Sequence, residues 1–133
     1  MERRTLPAVT SSTDRATTWV YDGLSHIYQL TAVMPSGTNS QTTQYNYGVA
    51  TSGSSAINSN DLLASVQYPD KTAGTPGTNA SDKQTYVLNA IGQQTSYVDQ
   101  NGTTHAYVYD LLGRRGKRNG DAFSLSPLIF AFQ

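Results

Sequence analysis

A chain of 133 residues and 14.4 kDa has room for one small domain, or a part of a larger one, with a modest core. Only 37% of its residues are hydrophobic and 14% charged, and Tyr (9) far outnumbers Phe (3) and Trp (1), a composition that suits exposed β-structure and turns over helices. Nine bases balance nine acids, which excludes a global field for nucleic acid or an anionic membrane, and the absence of Cys excludes disulfides, thiolate metal sites and thiol nucleophiles.

In chain order, residues 1–17 read as a loose polar lead-in; no apolar stretch of signal-peptide kind follows Met1, and no run approaches the roughly 18 apolar residues of a membrane helix. Thr18 to Val33 reads as extended, with Trp19 and Tyr21 on one face, a bend near Gly23 to Ser25 and a return through Ile27 to Val33. Met34-Pro35-Ser36-Gly37 ends it. Gln41 to Tyr47 is expected as a short strand, Gly48 to Asn60 as a low-complexity loop, Leu62 to Tyr68 as a strand closed by Pro69-Asp70, and Lys71 to Asp82 as a second loop or linker. Gln84 to Leu88 is the next strand, Gly92 permits a tight bend, and Gln94 to Asp99 pairs with Thr103 to Tyr109 across Asn101-Gly102. That dipeptide between β-formers predicts a type I′ turn, whose two central residues need positive φ. Residues 116–133 form a non-repeat tail, apolar from Phe123 to Phe132 and interrupted by Pro127. The basic run Arg114, Arg115, Lys117 and Arg118 has no interleaved aromatic and reads as solvated.

One phrase repeats. Tyr86-Val87-Leu88-Asn89-Ala90-Ile91-Gly92-Gln93 returns 21 residues later as Tyr107-Val108-Tyr109-Asp110-Leu111-Leu112-Gly113-Arg114. Trp19-Val20-Tyr21-Asp22-Gly23-Leu24-Ser25-His26 is a degenerate third copy, and Tyr45-Asn46-Tyr47 opens a fourth in which Gly48 replaces the acid. A period near twenty residues with an extended aromatic phrase and a Gly turn describes one β-hairpin per unit, each needing neighbours to bury what it cannot bury alone. The fold expected is all-β: an irregular array of hairpins in an open twisted sheet, with a repeat region over 18–115 and units near 19–33, 45–70, 86–106 and 107–115.

The copy at 107–114, preceded by Asp99-Gln100-Asn101-Gly102-Thr103-Thr104, resembles the unit of the RHS/YD-repeat family, Tyr-x-Tyr-Asp-x-x-Gly-Arg followed by a Gly turn. The stretch Asn60 to Asp70 looks like that family's return strand. The resemblance implies hairpins winding into a hollow shell, as in bacterial RHS toxins, the encapsulating components of insecticidal toxin complexes and animal teneurins. It makes neighbouring YD-repeat hairpins, or a longer RHS protein, the expected partners. The family's aspartyl self-cleavage motif, Asp-Pro-x-Gly with a further acid, is not matched: Tyr68-Pro69-Asp70-Lys71 has the wrong order and no Gly. A shell needs dozens of hairpins and this chain has three to four, so it resembles a fragment.

Each singled-out residue has a structural reading. Paired aromatics Trp19/Tyr21 and Tyr107/Tyr109 are a packing device across hairpins, with a carbohydrate-binding platform as the functional alternative. Asp110 and Arg114 flank a Gly bend and suit an ion pair or a carboxylate accepting turn amides; Asp22 and Asn89 fill the same place, and an amide at Asn89 would end acid–base chemistry but not turn capping. His26 and His105 lie in different units with no spaced second ligand, so no zinc site or other cofactor is expected. No Gly-x-Ser-x-Gly elbow or Walker-type loop occurs. The chain is expected to be a structural segment without catalysis, self-associating through strand edges because an array of few units leaves them open.

Overall fold

Segments rich in Thr, Tyr, Val and Gln alternate with turns built on Asp, Asn and Gly, and the chain accordingly folds as strands with short reversals. The computed structural model describes residues 3–4, 16–35 and 37–118. Its strands are β1 (Arg3–Arg4), β2 (Ala16–Tyr21), β3 (Ile27–Val33), β4 (Gln41–Val49), β5 (Ser59–Gln67), β6 (Lys83–Leu88), β7 (Gln94–Val98), β8 (Thr104–Tyr109) and β9 (Arg115–Arg118). They form one open sheet whose spatial order equals the sequence order, every neighbour antiparallel. The all-β expectation is therefore met. The only other regular structure among the described residues is two single 3₁₀ turns, Thr51–Gly53 and Ala80–Asp82.

Several boundaries differ from the sequence expectation. The lead-in is not wholly loose, because Arg3 and Arg4 pair with Val20 and Trp19, and β2 already begins at Ala16. At the other end the sheet runs past 115: β9 pairs with β8 from Tyr109↔Arg115 to Ala106↔Arg118, since its extended residues complete the ladder that Tyr107 and Tyr109 begin. The remaining lead-in residues, Ser36 and the tail from 119 onward lie outside the described residues. The loop expected over 48–60 is shorter, as β4 extends to Val49 and β5 starts at Ser59, with the Ser55 hydroxyl accepting from the Leu88 amide and the Ala56 amide donating to the Leu88 carbonyl. The loop over 71–82 is likewise anchored: Pro69 bridges Pro76, and the amides of Thr42 and Tyr68 reach the carbonyls of Gly74 and Asp82.

A sheet normally buries one face against a second layer. Here none is present among the described residues, and the buried apolar side chains are Val49, Val66 and Leu88 alone, none of them fully inaccessible. Most strand residues are half-buried by their own neighbours across the ladder. Because the strands run as a meander, the connections 22–26, 50–58, 89–93 and 110–114 lie at one end of the sheet, and 34–40, 68–82 and 99–103 at the other.

Candidate functional site

Four of the hairpin turns are one structure repeated. In each, the first residue is Asp or Asn: Asp22, Asn89, Asp99 and Asp110. Its amide donates to the carbonyl four residues on (2.9, 2.8, 3.0 and 3.1 Å), and its carbonyl accepts from the amide three residues on (3.2, 3.0, 3.0 and 2.9 Å). Its Oδ1 accepts from the amides two and four residues on, at 2.9–3.1 Å in every case. The fourth residue is left-handed, with φ of 68° at Ser25, 79° at Gly92, 78° at Gly102 and 74° at Gly113. The remaining side-chain atom is also engaged: Asp22 Oδ2 with His26 Nδ1 at 3.0 Å, Asp99 Oδ2 with His105 Nε2 at 2.8 Å, Asp110 Oδ2 with Arg114 Nε at 2.6 Å, and Asn89 Nδ2 donating to Gln93 Oε1 at 2.8 Å.

This corrects the type I′ turn expected at Asn101-Gly102. Asn101 has no positive φ; only Gly102 does, as in a type I turn followed by a glycine bulge. The carboxylate of Asp99 is the reason, since it fastens the amides of Asn101 and Thr103 and so fixes a longer loop than the dipeptide alone would select. Sequence reasoning passes over Asp99 as a turn residue because it takes Asn101-Gly102 as the whole turn and Asp99 as the last residue of the strand. The signal was present as Asp-x-x-Gly, shared by Asp99 and Asp110.

The carboxylates are tuned by these contacts. For Asp99 the His105 ring is the main cause, with the Thr103 and Asn101 amides, and the pKa falls below 3.8. For Asp110 the Arg114 amide and then its guanidinium lower it. Desolvation opposes ionisation of Asp22, but the amides of His26 and Leu24 and the His26 ring outweigh it. A carboxylate held ionised and saturated by turn amides is a cap rather than a general acid. No group of three or more potential metal-ligating side chains occurs among the described residues.

Residues directly opposite in an antiparallel ladder share a face. The registers Trp19↔Leu30↔Thr43, Tyr45↔Val66↔Gln84, Tyr86↔Tyr97↔His105 and Tyr109↔Arg115 thus trace a single aromatic face from β2 to β9. Along it Tyr97 stacks on His105 with centroids 4.5 Å apart, Tyr86 and Tyr107 flank Tyr97 at 6.2 and 6.1 Å, and Arg115 lies 4.5 Å over the Tyr107 ring. His26 stacks on Tyr47 at 4.4 Å in the same fashion, with Asp61 3.6 Å from its other nitrogen. The hydroxyls of Tyr68 and Tyr86 both donate to Gln84 Oε1, and that of Tyr109 to the Gln94 carbonyl. Burial raises the Tyr86 phenol above 10.0, reinforced by Tyr68 and Tyr97.

On the opposite face the polar side chains of β3 to β5 are hydrogen-bonded sideways. Gln29 donates to Gln44, Gln44 to Gln67 and Asn46, and Asn46 to Gln67 and Ser65, while Thr31 and Thr42 share a hydroxyl bond at 2.9 Å. A third feature is a row of apolar turn tips at one end of the sheet: Leu24, Ile91, Leu111 and Leu112 are exposed.

The residues considered for carbohydrate are not brought together. Trp19 and Tyr21 sit on β2 and Tyr107 and Tyr109 on β8, six strands apart, and Arg115 already covers the Tyr107 ring. No protein-family model, curated protein or solved structure matches the chain. No described helix is long and apolar enough to cross a membrane.

Proposed function

We propose that the chain is a structural segment of an RHS/YD-repeat type protein: a strip of wall built from turn-capped hairpins, without catalysis of its own, that extends by adding further hairpins of the same kind at its open edges. The observation that carries this reading is the fourfold identity of the Asx–glycine turn, with Asn in one copy and Asp in three. Chemistry that needed the carboxylate would not tolerate that exchange, whereas a turn needs only Oδ1. Among the described residues the sheet is a single layer with β1 and β9 unpaired on their outer sides, which supports the same reading, because a repeat unit closes its sheet only through neighbours.

The test is to add to the intact chain a fluorescent synthetic peptide spanning residues 83–109 and to measure binding by anisotropy. Saturable binding that is lost when Asn89, Gly92, Asp99 and Gly102 of the peptide are scrambled supports edge extension by this turn type. No binding, or equal binding of the scrambled peptide, contradicts it.

A further inference from the structure

We propose that the aromatic face is closed by a second copy of this chain, the two sheets packing face to face about a two-fold axis along the central strand β5. This goes beyond edge extension, which concerns β1 and β9, and holds whether or not a further hairpin adds there.

The first argument is that this face is prepared for removal from water. Its side chains are predominantly aromatic and aliphatic, and among them Val66 is already buried. The hydroxyls of Tyr68, Tyr86 and Tyr109 have acceptors within the sheet, and His105 is paired with the turn carboxylate of Asp99. Covering such a surface leaves these groups satisfied, which removes part of the usual obstacle to burying one.

The second argument is size. With strands about 4.8 Å apart and a rise of about 3.3 Å per residue, β2 to β9 present roughly 750 Å² on one face, so a pair would bury on the order of 1,500 Å². That lies inside the range of a stable, specific interface. The turn-tip row of Leu24, Ile91, Leu111 and Leu112 is a strip only a few side chains wide, and its area falls short of this.

The third argument is self-complementarity. An axis along β5 keeps the strands of the two sheets aligned, as face-to-face packing requires. It lays the tyrosine-rich half, Tyr86, Tyr97, Tyr107 and Tyr109, over the half that carries Trp19 and Leu30, and moves Arg115 of one copy towards the β2 end that carries Asp22 of the other.

Light scattering after size exclusion, across a dilution series, reads the outcome. The intact chain should give a closed species of twice 14.4 kDa, Leu30→Lys on the aromatic face should shift it to one chain, and Val108→Lys on the opposite face should leave it paired. Should Leu30→Lys not fold, the cysteine-free background allows a second reading: Thr43→Cys, beside the axis on the aromatic face, should cross-link with a short bismaleimide, and Thr42→Cys on the other face should not. A folded single chain at every concentration would overturn the proposal. So would cross-linking equal from both faces.

Discussion

At the scale of single residues, one oxygen organises each reversal. Oδ1 of Asp22, Asn89, Asp99 or Asp110 gathers two amides, and the residue three positions on must then accept a left-handed backbone. Glycine takes that conformation freely, but in the first turn the position is Ser25, at φ 68°. Ser25→Gly should therefore stabilise the protein by about 1 kcal/mol in urea denaturation, because a non-glycine residue in the left-handed region costs roughly that much; a neutral or destabilising result would mean that the Ser25 side chain contributes something else. The lowered pKa values of Asp22, Asp99 and Asp110 give a pH dependence. A carboxylate whose folded pKa lies below its unfolded 3.8 adds stability that is present above that pH and is lost as pH falls through the lower folded value. The melting temperature should hold from neutral pH down to about 3.8 and drop below it. The triple Asp→Asn variant at 22, 99 and 110 should flatten the drop, as Asn89 already serves one turn. Persistence of the full drop in that variant would place the acid sensitivity elsewhere.

At the scale of elements, the strands and their pairing were legible because alternation of Tyr, Thr and Val states the period directly, and the copies at 19, 86 and 107 each proved to be a strand entering a turn. The boundaries at Val49 and Ser59 were not legible. The serine-rich stretch between them has no apolar period, and its order depends on a contact 33 residues away, from Ser55 to Leu88. Nor was the turn type, since Asn101-Gly102 carries its own local preference and a carboxylate two residues earlier overrides it. The amide network opposite the aromatic face was missed as well: Gln29, Gln44 and Gln67 come from three strands, and only the register aligns them. Gln44 is its hub, bonded to Gln29, Asn46 and Gln67. Gln44→Ala should cost about 1–2 kcal/mol, seen as a lower urea midpoint with an unchanged slope, because partly buried amides on three strands lose partners. An unchanged midpoint would mean that water replaces the side chain at no cost.

At the scale of the whole molecule, the described residues form a sheet without a partner layer among them. Its cohesion comes from ladders, stacked tyrosines and capped turns rather than from a core, and its edges and aromatic face are the surfaces a neighbour would use. Amide hydrogen exchange at residue resolution on the intact chain tests this account most directly. The four Asx–glycine turns should show one shared pattern, with the amides of the first, fourth and fifth residues slow in each, while the outward-facing amides of β9 exchange fast. Free exchange of those turn amides in any one of the four, or slow exchange along the outer side of β9 in the isolated chain, would contradict it.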